Sequence, residues 1–225
     1  MEDRIFDTSN FHYKPIYAEY TKKYVIILKS GIANTLDSSI YITLYNYLLQ
    51  CLTHRTIIER NQPKIHNTAL FFNQEFELAQ KIVADMNSSF GLVLNEFHAA
   101  EITVLAAAAE FRISTDQIDT IITQMNEMIK LVKYRFMFHL DYNSPAGHSF
   151  IEHLKHLSVR IITNQKDVDT IDEWSPHAKE KFRLAYQCSV DIAEFLKKKY
   201  QFELTETEIL FLTIHIHSLV YQRKN

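Results

Sequence analysis

The sequence predicts an all-α protein built as two tandem similar helical bundles of about five helices each, and three observations carry that prediction. Glycine occurs 3 times and proline 4 times in 225 residues, so few turns that need a positive φ can be made. Apolar residues recur at helical spacing through most segments. Finally, Tyr186, Ile192, Leu196, Tyr200, Leu204 and His215 stand 110 residues after Phe76, Ile82, Met86, Phe90, Leu94 and Leu105, with no gap. A constant offset across aromatic, aliphatic and loop positions marks an internal duplication. The division falls near Arg112 to Ser114, giving a first domain of residues 1–112 and a second of 113–225.

The composition narrows the class. Hydrophobic residues make up 47% and charged residues 23%, a mixture that buries a core and argues against disorder. A formal net charge of -3 supplies no basic field, so this chain on its own is not expected to bind nucleic acid. Cys51 and Cys188 sit inside apolar patterns and not in a CxxC pair, as buried thiols of a reducing compartment would. No apolar run reaches the ~18 residues of a membrane span, so the expected setting is the cytoplasm, without membrane contact.

Taken in order, Met1 to Phe11 is a polar lead-in, and Pro15 suits the first turn of a helix striped by Ile16, Tyr20, Tyr24, Ile27 and Leu28. Leu36 to Ser39 reads as a loop and cap. Residues 40–52 are apolar all round, as in a central helix. Asn61-Gln62-Pro63 breaks the pattern. A helix through Phe76, Ala79, Ile82, Val83 and Met86 ends near Gly91, and an apolar helix runs from about Phe97 to Phe111. The second half repeats the order. Ile118 to Tyr134 is amphipathic, Leu140 to Pro145 a polar loop, Ser149 to Ile162 a dense helix, Asn164 to Pro176 an acidic connector, and 178–199 a helix through Phe182, Tyr186, Ile192 and Leu196. In the last helix Thr205 as N-cap and Glu208 three residues later form a capping box, and Ile209, Leu212, Ile216 and Leu219 recur at helical spacing. Glu208 and His215 share a face at two turns' separation, whereas His215 and His217 point roughly 200° apart.

The segments FIEHLKHLSVR and LTETEILFLTIHI on this repeated frame resemble the PTS regulation domain (PRD) of the BglG/SacY/LicT family of bacterial transcriptional antiterminators. The first segment shows the aromatic Phe150, the His153-Leu154-Lys155 element and Arg160 seven residues after the histidine. The second shows Glu208, a hydrophobic run and His215-Ile216. The resemblance covers nearly the whole chain as two copies and implies that His153 and His215 are phosphoacceptor histidines, supported by Arg160 and Glu208. It further implies the regulatory region of a sugar-responsive antiterminator, phosphorylated by the phosphocarrier protein HPr or a sugar-specific enzyme II, with the phosphohistidine state setting homodimer geometry. No cofactor, resident metal or catalytic turnover of its own is implied. RNA would be bound only through a separate N-terminal domain, which about ten polar residues ahead of the first helix cannot build.

The first copy keeps the frame and departs in its chemistry. Tyr47 stands where the first acceptor is expected, Leu105 at the second, and His54 at the position of the arginine. Sensing by phosphate is therefore expected in the second domain alone, with dimerisation open to the first.

Imidazole is nucleophilic near neutral pH, and its phosphoramidate retains transfer potential. An acceptor needs one nitrogen exposed. Arg160 can neutralise phosphate oxygens, and Glu208 can orient an imidazole. His156 and His217, off the family positions, read as exposed or partner-contact residues, His98 as a structural remnant, and Lys197-Lys198-Lys199 as a solvated helix end. Two other functions stay open. One is a dimerisation scaffold without phosphorylation. The other is a helical metal-dependent hydrolase, in which His153 and His156 at i+3 would share a metal.

Overall fold

The computed structural model describes residues 15–32, 36–53, 62–137, 139–165 and 179–221. The polar lead-in to Phe11, His54 and most of the acidic connector lie outside the described residues. Among those described there are helices and no strand: α1 (Pro15–Gly31), α2 (Ser39–Thr53), α3 (Gln62–Phe71), α4 (Asn73–Phe90), α5 (Glu96–Phe111), α6 (Thr115–Phe136), α7 (Pro145–Thr163), α8 (Arg183–Tyr200) and α9 (Glu206–Tyr221). The chain divides into two compact units, Met1–Ile113 and Ser114–Asn225.

The duplication is visible in the backbone. Helices α8 and α9 begin and end 110 residues after α4 and α5. Phe72 and Phe182, at corresponding places, break the helix with similar dihedrals, φ -127 and ψ 49 against φ -113 and ψ 34. Helices α4 and α8 end in left-handed residues, Gly91 and Gln201, at φ 63 and φ 54. The packing pairs also correspond. In the first unit α1 packs on α2 and α4, and α5 on α2 and α4; in the second α6 packs on α7 and α8, and α9 on α7 and α8. The first core is centred on Tyr24, Leu28, Leu44, Ile82 and Ile102, and the second buries Ile118, Phe150, Leu154, Ile192 and Leu212 in the same manner.

Three local expectations are corrected. Helix α3 begins at Gln62, where Asn61-Gln62-Pro63 was expected to break the pattern; proline lacks an N–H that a first helical turn does not use, so Pro63 is compatible with the start of this helix. Helix α7 starts at Pro145, earlier than Ser149, because Ser144 caps it by accepting from the Gly147 N–H at 3.0 Å. On α1 the buried face runs through Ala18, Thr21, Tyr24, Val25 and Leu28, while Ile16 is 47% exposed. A hydroxyl bond from Thr21 to the Tyr17 carbonyl, 2.8 Å, lets a threonine take a core position.

No helix among the described residues is long and apolar enough to cross a membrane. Both cysteines are buried free thiols, each pushed up to about 11 by burial.

Candidate functional site

Helix α9 is fixed before its histidines come into play. The Glu208 N–H donates to Thr205 Oγ1 at 3.2 Å, and the Thr205 N–H donates to Glu208 Oε2 at 2.8 Å, closing the capping box. Five residues after Glu208, the buried Thr213 hydroxyl bonds the Ile209 carbonyl at 2.7 Å and lies 3.1 Å from Ser189 Oγ of α8, tying the two helices together. Leu212, Ile216 and Leu219 seal the inner face. His215 is thereby held on the side of α9 that meets α7.

The partner helix presents His153 to it. The two imidazoles stack, with ring centroids 4.6 Å apart and planes inclined by 27°. Phe211, one turn before His215, borders the pair at 6.4 Å from the His153 ring. On the other side Ser149, one turn before His153, places Oγ 3.4 Å from His215 Nδ1. Neither Ser149 nor Phe211 was singled out from the sequence. Their spacing of four residues from a histidine on the same helix is the signal that could have found them.

The Glu208 side chain is 1% exposed, and its carboxylate engages Thr205 and Arg160 where an imidazole had been expected. Arg160 Nη2 sits 3.0 Å from Glu208 Oε1, close enough for an ion pair although off-line for a hydrogen bond, and the arginine side chain is 23% exposed. Two turns along α7 from His153, Arg160 is also near enough for its charge to be felt at that imidazole. Lys155 of the His-Leu-Lys element turns away to Glu152, 2.8 Å, and is buried there.

Electrostatics keep the pair neutral. Burial first, then His215, Arg160 and His156, lower His153 to about 3, and burial lowers His215 as well. An imidazole held neutral has a lone pair available for attack. His153 Nε2 is itself enclosed and has no hydrogen-bond partner among the described residues.

A pH dependence follows. The unfolded imidazole binds its proton near its ordinary 6.5, whereas the folded one does so only near 3. The unfolded state therefore takes up more protons between those values, and His153's contribution to stability is complete above about pH 6.5 and lost as pH falls toward 3. Urea unfolding of the second unit should show a loss of about 1–2 kcal/mol between about pH 7 and pH 5, and His153→Gln should flatten that slope. A slope unchanged by the substitution would place the titration elsewhere.

The remaining histidines divide differently from expectation. His156 is exposed, but His217 packs between Phe182 and Tyr221, at centroid distances of 3.9 and 4.2 Å. His98 closes the α5 capping box: the Asn95 N–H donates to His98 Nδ1 at 3.1 Å, the same place and task as Glu208 in α9. It is a working cap. Tyr47 is buried in the first core and Leu105 packs against that core, where the second unit has His153 and His215. Among the described residues no group of three His, Cys, Asp or Glu side chains is arranged to hold a metal.

Residues 126–219, which contain all four candidate side chains, match the family model described as PRD domain. Over 211 residues the chain is 27% identical to transcription antiterminator LicT of Bacillus subtilis (strain 168), covering 91% of this chain and 74% of that protein. It is 26% identical over 195 residues to the beta-glucoside operon antiterminator of Dickeya chrysanthemi, covering 85% and 68%. The GlcA/glcB genes antiterminator of Staphylococcus carnosus (strain TM300) is 20% identical over 162 residues, covering 72% and 56%.

Proposed function

We propose that this chain, which carries a PRD domain and is homologous over most of its length to LicT/BglG-type transcription antiterminators, senses phosphate through His153 and His215 of its second unit. It is a regulatory region of such an antiterminator, controlled by PTS-dependent phosphorylation, and not an enzyme. The observation that carries the assignment of the site is the stacked, neutral imidazole pair, with an arginine beside it that a buried glutamate holds in place.

The chemistry uses this chain's own groups. With the Nδ1 proton of His215 directed toward Ser149 Oγ, the lone pair on Nε2 is free to attack the phosphorus of a donor phosphohistidine. The new N–P bond forms as the donor's N–P bond breaks, and the pair of electrons from that bond stays on the donor imidazole. The donor ring takes up a proton, and the acceptor gives up its Nδ1 proton past Ser149. Arg160, while paired with Glu208, lies near enough to His153 for its charge to act on the phosphate oxygens. The product adds a charge of about -1.5 to -2 at the seam between α7 and α9. Phe211 and Ile214 on the outer side of α9 are exposed apolar residues beside this charge, a surface suited to a second copy of the chain whose docking the phosphate would alter. HPr or a sugar-specific enzyme II is the proposed donor.

Phosphorylated HPr should label the wild-type chain, and His153→Ala with His215→Ala should reduce the label at least about tenfold, while helix content and unfolding temperature report that the variant is folded. The same samples compared by sedimentation would show whether the phosphate changes self-association. An unlabelled wild type would sink the phosphate-sensing reading and leave the dimerisation scaffold, which the first unit supports by keeping the fold with Tyr47 and Leu105 in place of histidines.

A further inference from the structure

We propose that the second unit carries a binding site for a small anion with a flat apolar body, of the class of an aromatic carboxylate, in the cavity between the start of α8 and the last turn of α9. This goes beyond the phosphate-sensing assignment and does not depend on it. The cavity has a volume of about 280 Å³, and Phe136, the last residue of α6, also lines it.

Three rings in a row form one wall. His217 stands one turn before Tyr221 on α9, with centroids 4.2 Å apart, and Phe182, just ahead of α8, comes within 3.9 Å of the imidazole. Such faces favour a flat apolar guest, which can stack on them or meet them edge to face. The volume sets its size. A cavity of about 150 Å³ takes up one benzene ring, so one nearly twice as large has room for two fused rings or for one ring with a short substituent.

Charge supplies the other half of the recognition. Lys181 and Arg183 line the cavity and are exposed, no acidic side chain lines it, and neither cation has an ion-pair partner among the described residues. Lys181 Nζ lies 5.5 Å from the centroid of the Phe182 ring, so a cation already stands at the aromatic wall. Burial, and then the charge of Lys181, lower His217, a sign that the positive field at this end reaches the imidazole inside. A carboxylate at the mouth meets both cations while its ring body lies against the wall.

The corresponding place in the first unit has the opposite character. Moving back 110 residues, Lys181, Arg183 and His217 become Phe71, Asn73 and Ala107, while Ala185 and Val220 of the lining become Glu75 and Glu110. Phe71, Phe72 and Ala107 are fully buried, and α3 packs on α4 and α5 there. The first unit is therefore an internal negative. His215 and His217 point roughly 200° apart on α9, so occupancy of this cavity can be read separately from the stacked imidazoles.

The probe is β-naphthoate, added to the full chain while amide NMR spectra are recorded. Saturable binding with a Kd of about 0.1–1 mM is expected for its roughly thirteen non-hydrogen atoms. The largest shifts should fall at Phe182, His217 and Val220, with none at Ala107 or Glu110. Lys181→Ala with Arg183→Ala, both at exposed positions, should weaken binding about fivefold, and the neutral alcohol β-naphthylmethanol should bind the wild type more weakly by a similar factor. Val220→Phe, which fills the cavity, should abolish binding; unfolding temperature reports that each variant is folded. No saturable shift with β-naphthoate would overturn the inference, as would an affinity unchanged in the Lys181 and Arg183 variant or equal binding of the alcohol. Shifts at the same residues on raising the protein concentration, with none from β-naphthoate, would give the cavity to a second copy and overturn it as well.

Discussion

Arg160→Ala is expected to lower the stability of the second unit by about 2–3 kcal/mol, because it leaves the Glu208 carboxylate buried beside an empty position. Glu208 is 1% exposed, and Arg160 is its cation, 3.0 Å away. Removing one member of a buried pair typically costs about 3–5 kcal/mol; partial exposure of Arg160 admits water to its side of the pair and puts the value at or below the low end. Urea unfolding measures the loss. Adding Glu208→Gln to Arg160→Ala should recover roughly half of it, because the amide oxygen still accepts from the Thr205 N–H and no charge remains to be balanced. Recovery by Arg160→Lys but not by the double variant would mean that the arginine acts through its stem and not through Glu208.

Gly147→Ala is expected to be as damaging from a different cause, about 3 kcal/mol or loss of the native fold of the second unit. A Cβ at Gly147 would fall inside the backbone carbonyl of Asp141 and press on Ser144 Oγ, so the loop before α7 would have to move. That loop sets the start of α7 through the Ser144 cap and the bond from Ser144 Oγ to the Asp141 carbonyl, 2.8 Å. Its displacement carries His153 with it. Thermal unfolding would show the loss. In whatever fraction remains folded, phosphate transfer should fall even though no acceptor has been touched. By contrast Gly91→Ala has open space around its Cβ and suffers only from its φ of 63, so it is the milder control.

Much of the fold could be read from the residues because most of the helices announce themselves locally. The capping box at Thr205 with Glu208 uses side chains only three residues apart, and the duplication is a property of spacing. Helix α3 escaped because Pro63 has two meanings: in a helix interior it breaks, in a first turn it begins, and the residues alone do not say which. The candidate site was legible as four residues on two helices. What joins them was not, since the His153–His215 stack and the Arg160–Glu208 pair exist only through the packing of α7 on α9. The same gap produced the one misassigned role at the site. Glu208 shares a face with His215, which suggested an imidazole partner, but the acid faces inward at the start of α9, where Arg160 reaches it.

The matched ends of α4 with α8 and of α5 with α9 have an experimental meaning. The molecule contains its own blank: a bundle of the same build with tyrosine and leucine where the other carries imidazoles. A perturbation felt equally by both units acts on the helical frame. One felt by the second alone acts through its imidazoles, so a probe placed at corresponding positions in each half separates signal from scaffold without a second protein for comparison.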